Sequence, residues 1–189
     1  GLLTGPLYTI HKAISVIKHA EEQERRLGKP VIPVFWIAGE DHDLDEVNHV
    51  YVERKGQLVK ETHTNSSHWQ SKAMISDIPF GGEESKRWLE KVFSAYRETA
   101  YTKELYRQLI RYSEESVSVT DFFSFMMNDL FKKSGLLLVD SGDKSFRKVQ
   151  SEFFIELVRN QESINTAVKE QQSHIMNKGY SRAIDMNDK

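Results

Sequence analysis

Short apolar runs alternate with amphipathic stretches along this chain, and the two strongest runs end abruptly in polar residues. Val31–Ile37 is Val, Ile, Phe and Trp around a single Pro33, the pattern of a strand buried on both faces of a parallel sheet. Leu136–Val139 repeats the pattern and stops at Asp140-Ser141-Gly142-Asp143. Before the first strand, Leu7–Leu27 carries Leu7, Ile10, Ile14 and Ile17 at helical spacing. Pro6 suits a first helical position, Thr4 or Gly5 can cap it, and Gly28, Lys29 and Pro30 stop it. Loop, helix and strand in that order predict most of a βαβ unit, with its first strand expected upstream of Gly1.

The middle of the chain changes period. Val50–Arg54 and Gln57–Glu61 alternate around Lys55-Gly56 and predict a hairpin. His63 and His68 follow in a Thr-, Asn- and Ser-rich stretch and read as surface residues. Glu83–Tyr96 and Lys103–Tyr112 read as amphipathic helices, with Trp88, Leu89, Val92 and Phe93 as core. Val119-Thr120-Asp121 is expected to cap a helix over Phe122–Lys133, with Phe122, Phe125, Met126, Leu130 and Phe131 on its buried face and Gly135 at its end. Lys144–Asn177 then predicts one long helix. Its apolar residues recur every eleven positions, Phe146, Leu157 and Val168 in one row and Phe153, Ile164 and Ile175 in another, which keeps a nearly straight seam. Such an arm packs against another helix, here expected in a partner subunit or a returning arm.

The chemistry concentrates after the first strand. Gly39 is followed by Glu40, Asp41, His42, Asp43, Asp45, Glu46 and His49, at the carboxyl end of a strand, where open α/β sheets place ligands. An imidazole between carboxylates favours its charged form, has its ring oriented by them, here His42 by Asp41, and suits proton transfer. Asp41 and His42 are therefore expected in the chemistry, and Asp43, Asp45 and Glu46 as caps or surface. His42 and His49 would share a helical face only if that segment were helical, and a metal needs three or four convergent ligands, so no metal site is expected. A helix that opens after a Gly-containing loop can bind an anion, which makes Thr4, Gly5, Tyr8 and Lys12 candidate contacts beside ordinary capping. Asp140 either reaches the rim near His42 or caps the following helix.

Composition narrows the class. The 189 residues, 39% hydrophobic with a net charge of −2, allow one substantial α/β domain with an appendage. No basic patch interleaved with aromatics points to nucleic acid. No apolar run reaches the length of a membrane span and no leader pattern opens the chain, so a cytoplasmic protein is expected. Cysteine is absent, which removes disulfides and thiolate ligands or nucleophiles within these residues.

GLLTGPLYTIHKA, VIPVFWIAGEDHDLDEVNH, SVTDFFSFMMNDLF and GLLLVDSGD, in that order, resemble the cysteine-adding enzymes of bacillithiol biosynthesis, a cysteine ligase family. The likeness runs over the whole chain, which is expected to be one piece of a longer protein. It implies a Rossmann-like core related to class I aminoacyl-tRNA synthetases and nucleotidylyltransferases. It divides the chain into a core over 1–143 with a hairpin and helical insertion at about 50–134, a dimerising coiled-coil arm over 144–177, and the start of another segment at 178–189. The implied reaction is the last step of the pathway, joining cysteine to glucosaminyl malate, with ATP or another nucleotide a candidate for activating the carboxylate. Glu40, Asp41 and His42 would lie near the chemistry. Thr4, Gly5, Tyr8, Lys12, Gly39, Asp43, His49 and Asp140 would bind substrate or anion. The synthetase His-x-Gly-His signature is absent, and Thr9-Ile10-His11-Lys12 only loosely echoes it. Two competing readings are a non-catalytic module for anion binding and dimerisation, and a hydrolase holding a metal through Asp41, His42 and His49.

Overall fold

The computed structural model describes residues 1–63 and 73–184, and His68 lies outside them. In chain order come α1 (Tyr8–Leu27), β1 (Val34–Ile37), β2 (His49–Arg54), β3 (Gln57–Thr62), α2 (Gly82–Phe93), α3 (Thr102–Glu115), α4 (Val119–Phe131), β4 (Leu137–Asp140), α5 (Lys144–Val149), α6 (Ser151–Arg159) and α7 (Gln161–Asn177). Two compact units divide at Phe146.

In the first unit, β1 and β4 pair in parallel with Val34 opposite Leu137 and Ile37 opposite Asp140. The amide of Ser141 extends the ladder by donating to the Ile37 carbonyl at 3.0 Å. Both predicted strands form, but the expectation of burial on both faces fails for β1. Val34 and Trp36 are 43% and 50% exposed while Ile37 is buried, because α1 and α4 pack on the side that carries Phe35, whereas on the other face Trp36 meets Phe146 of α5 edge-on at 5.6 Å and stays half exposed. Ala13 and Ile17 of α1, Met127 of α4 and Leu136 build that covered side, with Ile10, Val16, Phe35, Phe123, Phe131 and Leu138 packed around them. The inward face of α1 is thus Ile10, Ala13, Ile17 and Ala20, and the expected Leu7 and Ile14 are exposed. No side chain caps α1 at its start, so neither Thr4 nor Gly5 has that role. Gly28 ends the helix in the left-handed conformation, as read from the sequence.

A second cluster joins the hairpin to α2, α3 and α4 through Val52, Trp88, Leu89, Val92, Leu109, Tyr112, Phe122 and Met126. The β2–β3 register is the predicted one, with Arg54 opposite Gln57. Lys55 and Gly56 both have positive φ, 53° and 76°, as a two-residue hairpin loop with the strands' own twist requires. Helix α4 is a wall of both clusters, giving Phe122 and Met126 to one and Met127, Phe123 and Phe131 to the other. That double duty explains its high apolar content, while Leu130, expected inside, is 61% exposed. Its N-cap is Ser118. The Ser118 hydroxyl accepts from the Asp121 amide at 3.1 Å, and the Asp121 carboxylate accepts from the Ser118 amide at 3.0 Å, a reciprocal capping box. Ser118→Ala should lower unfolding stability by about 1 kcal/mol in denaturant titration.

Burial overturns the surface reading of His63, which is wholly buried. Its ring tilts over Phe80 at 4.9 Å and meets Trp88 edge-on at 5.7 Å. Nε2 lies 2.9 Å from the Ser85 hydroxyl, which also accepts the Gly81 amide at 2.9 Å. Burial pushes His63 below the ordinary imidazole value of 6.5, with the Glu84 carboxylate opposing that shift. The unfolded chain therefore takes up the proton first as pH falls, and stability drops below about pH 6.5. Thermal melts at pH 7.5 and 5.5 should show this acid loss in the native protein and a smaller one in His63→Gln.

The second unit, 147–189, carries α6 and α7 and the end of α5. The single helix expected over 144–177 is three segments. The breaks fall at Gln150 and Asn160, where ψ opens to −3° and 11°, and the polar Arg159–Ser163 stretch brackets the second. Asp143, not Asp140, caps the start of α5, its carboxylate accepting from the Phe146 amide at 2.7 Å.

Candidate functional site at the carboxyl ends of the parallel strands

The loop after β1 is held by its own backbone and by β4. The Gly39 amide donates to the Ile37 carbonyl at 2.9 Å, and the Gly39 and Asp41 carbonyls accept from Ser76 and Ile75 at 2.9 and 2.8 Å. The Ser76 hydroxyl reaches both carboxylate oxygens of Asp140 at 2.9 Å, and the Gly142 amide donates to the same group at 2.8 Å. Ser76 sits between two glycines. A Cβ on Gly39 would overlap the Ser76 hydroxyl and the Asp140 carboxylate, and one on Gly142 would overlap Ser76. Gly39 is thus required for space rather than for a left-handed backbone.

Beside this clasp a cavity of about 210 Å³ opens among Gly1, Thr9 of α1, Phe35, Trp36 and Ile37 of β1, Ala38, Asp41, Val47, Ile75, and Val119, Thr120 and Phe123 of α4. Asp41 is the one predicted site residue on its wall. The Asp41 Oδ1 atom accepts the amides of His42 and Asp43 at 2.7 and 3.1 Å, a turn that fixes the loop. His42 Nδ1 lies 3.8 Å from that oxygen and the ring is largely exposed, too far for the hydrogen bond by which Asp41 was expected to orient it. Glu40 and Asp43 are exposed as well.

The anion-binding set does not assemble. Tyr8 and Lys12 face each other on the outer side of α1, the ammonium 4.8 Å from the ring centre. Thr4 lines a different cavity, and Leu3, Thr4 and Gly5 all have positive φ, 56°, 67° and 69°. His49 opens β2, pairs with Asn48 at 3.2 Å and meets Tyr51 edge-on. Burial and the Lys60 ammonium push its imidazole down. Asp140 is engaged by Ser76 and Gly142 as described. Among the described residues no three His, Asp or Glu side chains group to hold a metal ion, so Asp41, His42 and His49 do not converge.

Sequence reasoning does not reach Thr9, Thr120 and Ser76. Helical spacing could have found Thr9, since it lies four residues before the buried Ala13, whereas Tyr8 and Lys12 form the next stripe round. Nothing in the sequence marks Ser76.

The larger cavity, about 570 Å³, is lined by Leu3, Thr4, Val50 and residues of α2, the α2–α3 loop, α3 and α4, and by none of β1 or β4. Its polar side chains Gln108, Tyr112 and Asp129 bond to one another. Position favours the smaller cavity as the site, at the strand ends where open α/β sheets bind ligands.

The sequence pattern of the family described as "Bacillithiol biosynthesis BshC, N-terminal Rossmann-like domain" matches residues 1–189. This chain belongs to the BshC family. It is 43% identical over 185 residues to "Putative cysteine ligase BshC" of Bacillus licheniformis, 98% of this chain and 34% of that protein. The BshC proteins of Bacillus pumilus and Oceanobacillus iheyensis, with the same printed name, are 45% and 40% identical over 188 and 189 residues, all of this chain and 34% and 35% of theirs. The chain therefore spans about a third of the length of its BshC relatives. The Rossmann-like α/β domain is established, and no helix among the described residues is long and apolar enough to cross a membrane.

Proposed function

We propose that the full-length protein to which this segment belongs is a cytoplasmic ligase that joins cysteine to glucosaminyl malate in the last step of bacillithiol synthesis. The observation that carries the reading is the cavity at the carboxyl end of β1, walled by Asp41 and the first turn of α1, in a segment matched throughout to the BshC family. Forming the amide joins the cysteine carboxyl carbon to the sugar amine, with loss of an activated carboxyl oxygen and of a proton from the amine. His42, exposed on the rim beside Asp41, can take that proton from an incoming amine.

Activation by ATP or another nucleotide belongs to the proposal, but not at this cavity. At about 210 Å³ it is small for a nucleotide, and among the described residues no lysine or arginine lines it to meet phosphate. Dimerisation through the helical unit also belongs to the proposal, supported by exposed Phe153, Phe154, Ile155, Leu157 and Ile164 on α6 and α7. A metal-dependent hydrolase is not favoured, since its three ligands do not group.

Thiol profiling by mass spectrometry tests the proposal, in a bacillithiol-producing strain that lacks its own enzyme and carries the full-length gene. Bacillithiol should return with the native protein and fall at least tenfold with His42→Ala, the scale of a lost general base. Glucosaminyl malate that accumulates without product under the native gene would refute the ligase reading.

A further inference from the structure

The charge of the cavity at the end of β1 is the reverse of what an anion site needs. Among its described lining residues Asp41 carries the one charged side chain, no lysine, arginine or histidine side chain joins it, and Gly1 brings only its backbone to the wall. The two cations expected to hold an anion are elsewhere, Lys12 over the Tyr8 ring and His42 out on the rim. One Asp41 oxygen, Oδ1, is committed to the amides of residues 42 and 43, no hydrogen bond from the described residues reaches Oδ2, and the side chain is half exposed. A carboxylate is acceptor-only. A ligand that displaces water from it is matched by donors and positive charge.

Size and the other walls narrow the class further. The volume, about 210 Å³, is below the roughly 300–1,000 Å³ of pockets for drug-sized ligands, so the occupant is a single small molecule. Phe35, Trp36, Ile37, Val47, Ile75, Val119 and Phe123 make most of the lining apolar and offer nothing to a charged or strongly polar side chain. Thr9 and Thr120 add hydroxyls. Thr9 lies in the first turn of α1, where the amide dipoles favour the negative end of a ligand.

We infer that this cavity is the amino-acid subsite, taking a small zwitterionic α-amino acid with a short uncharged side chain, and that Asp41 holds its ammonium group. The inference rests on the ligase reading for the identity of the amino acid, cysteine, but not for the existence of the subsite. It gives Asp41 a role in recognition, in place of orienting His42.

The test is calorimetric titration of the full-length protein with three probes, L-cysteine, cysteamine and 3-mercaptopropionate. Cysteamine keeps the ammonium and lacks the carboxylate, and 3-mercaptopropionate does the opposite. L-cysteine and cysteamine should bind, with 3-mercaptopropionate at least tenfold weaker than L-cysteine, as expected for a lost charge-assisted hydrogen bond. Asp41→Asn keeps Oδ1 for the two loop amides and should weaken L-cysteine binding by a similar factor. Equal affinity for 3-mercaptopropionate and L-cysteine, no binding of any probe, or an Asp41→Asn protein that binds L-cysteine normally would each overturn the inference. The probe series on the native protein decides the matter even if the variant does not fold. Selective binding without bacillithiol formation in the complementation strain would leave the subsite standing and remove the ligase reading. Bacillithiol formation with unselective binding would do the reverse.

Discussion

Gly39→Ala is expected to cost about 2–6 kcal/mol of stability and most of the activity of the full-length protein. The new methyl group would overlap the Ser76 hydroxyl and the Asp140 carboxylate, and overpacking of this kind costs about 1–3 kcal/mol. Relief requires Ser76 to turn away, which strips Asp140 of its hydroxyl partner and adds about 1–3 kcal/mol for a part-buried acceptor left short. The loop carrying Asp41 hangs from the same Gly39 carbonyl that Ser76 holds through its amide, so the damage reaches the cavity. Denaturant titration of Gly39→Ala, Ser76→Ala and the double variant checks the mechanism. The double variant should lose less than the sum of the two, because removing the hydroxyl makes part of the room that the methyl needs. Strict additivity would show that the two positions act separately.

The second large effect is expected at Glu61, a carboxylate 3% exposed. Arg54 Nε reaches it at 3.1 Å and Lys91 Nζ at 2.6 Å, while Arg54 also donates to the Lys91 carbonyl at 2.6 Å. This knot ties the hairpin to α2, helped by Trp88 Nε1 donating to the Glu61 carbonyl at 3.2 Å. The Lys91 ammonium, and then Arg54, hold the Glu61 carboxyl below its ordinary range against the opposing effect of burial. Glu61→Gln should lower stability at pH 7 by about 2 kcal/mol, a value for charge-assisted bonds discounted because Lys91 is largely solvated. Arg54→Ala should cost more than Lys91→Ala, since it leaves the buried carboxylate with only an exposed partner. The folded pKa is depressed, so the Glu61 contribution is complete above the ordinary value of 4.5 and vanishes as pH falls through the lower folded value. Melts between pH 5 and pH 3 should therefore show a shallower acid loss in Glu61→Gln than in the native protein. This window lies below the one assigned to His63, and the two variants separate them.

Local rules made much of the frame legible. Lys55-Gly56 fixed the hairpin register because few residue pairs accept two positive φ values, and Gly28 and Gly135 marked helix ends for the same reason. Glu61 and His63 show where such rules stop. Both continue the inward alternation of β3 from Val59, yet a polar residue at an inward position is indistinguishable from an exposed one until its partners, here Arg54, Lys91 and Ser85, are brought to it by folding. The apolar run of β1 misled in the opposite sense. Trp36 and Val34 read as core, whereas both are about half exposed, with the Phe146 ring of α5 edge-on to Trp36. At the site, Asp41 was legible from its place after a strand. The clasp was not, because Ser76 and Asp140 are 64 residues apart and neither sequence neighbourhood contains the other.

Helix α4 belongs to both apolar clusters, and this has a consequence for how the first unit comes apart. Phe122 and Met126 cannot leave one cluster while Met127 and Phe123 stay in the other, since they occupy adjacent turns of one rod. The hairpin layer and the strand layer are thereby coupled into one cooperative block, and amides of α2 and β4 are set to exchange with solvent through the same opening.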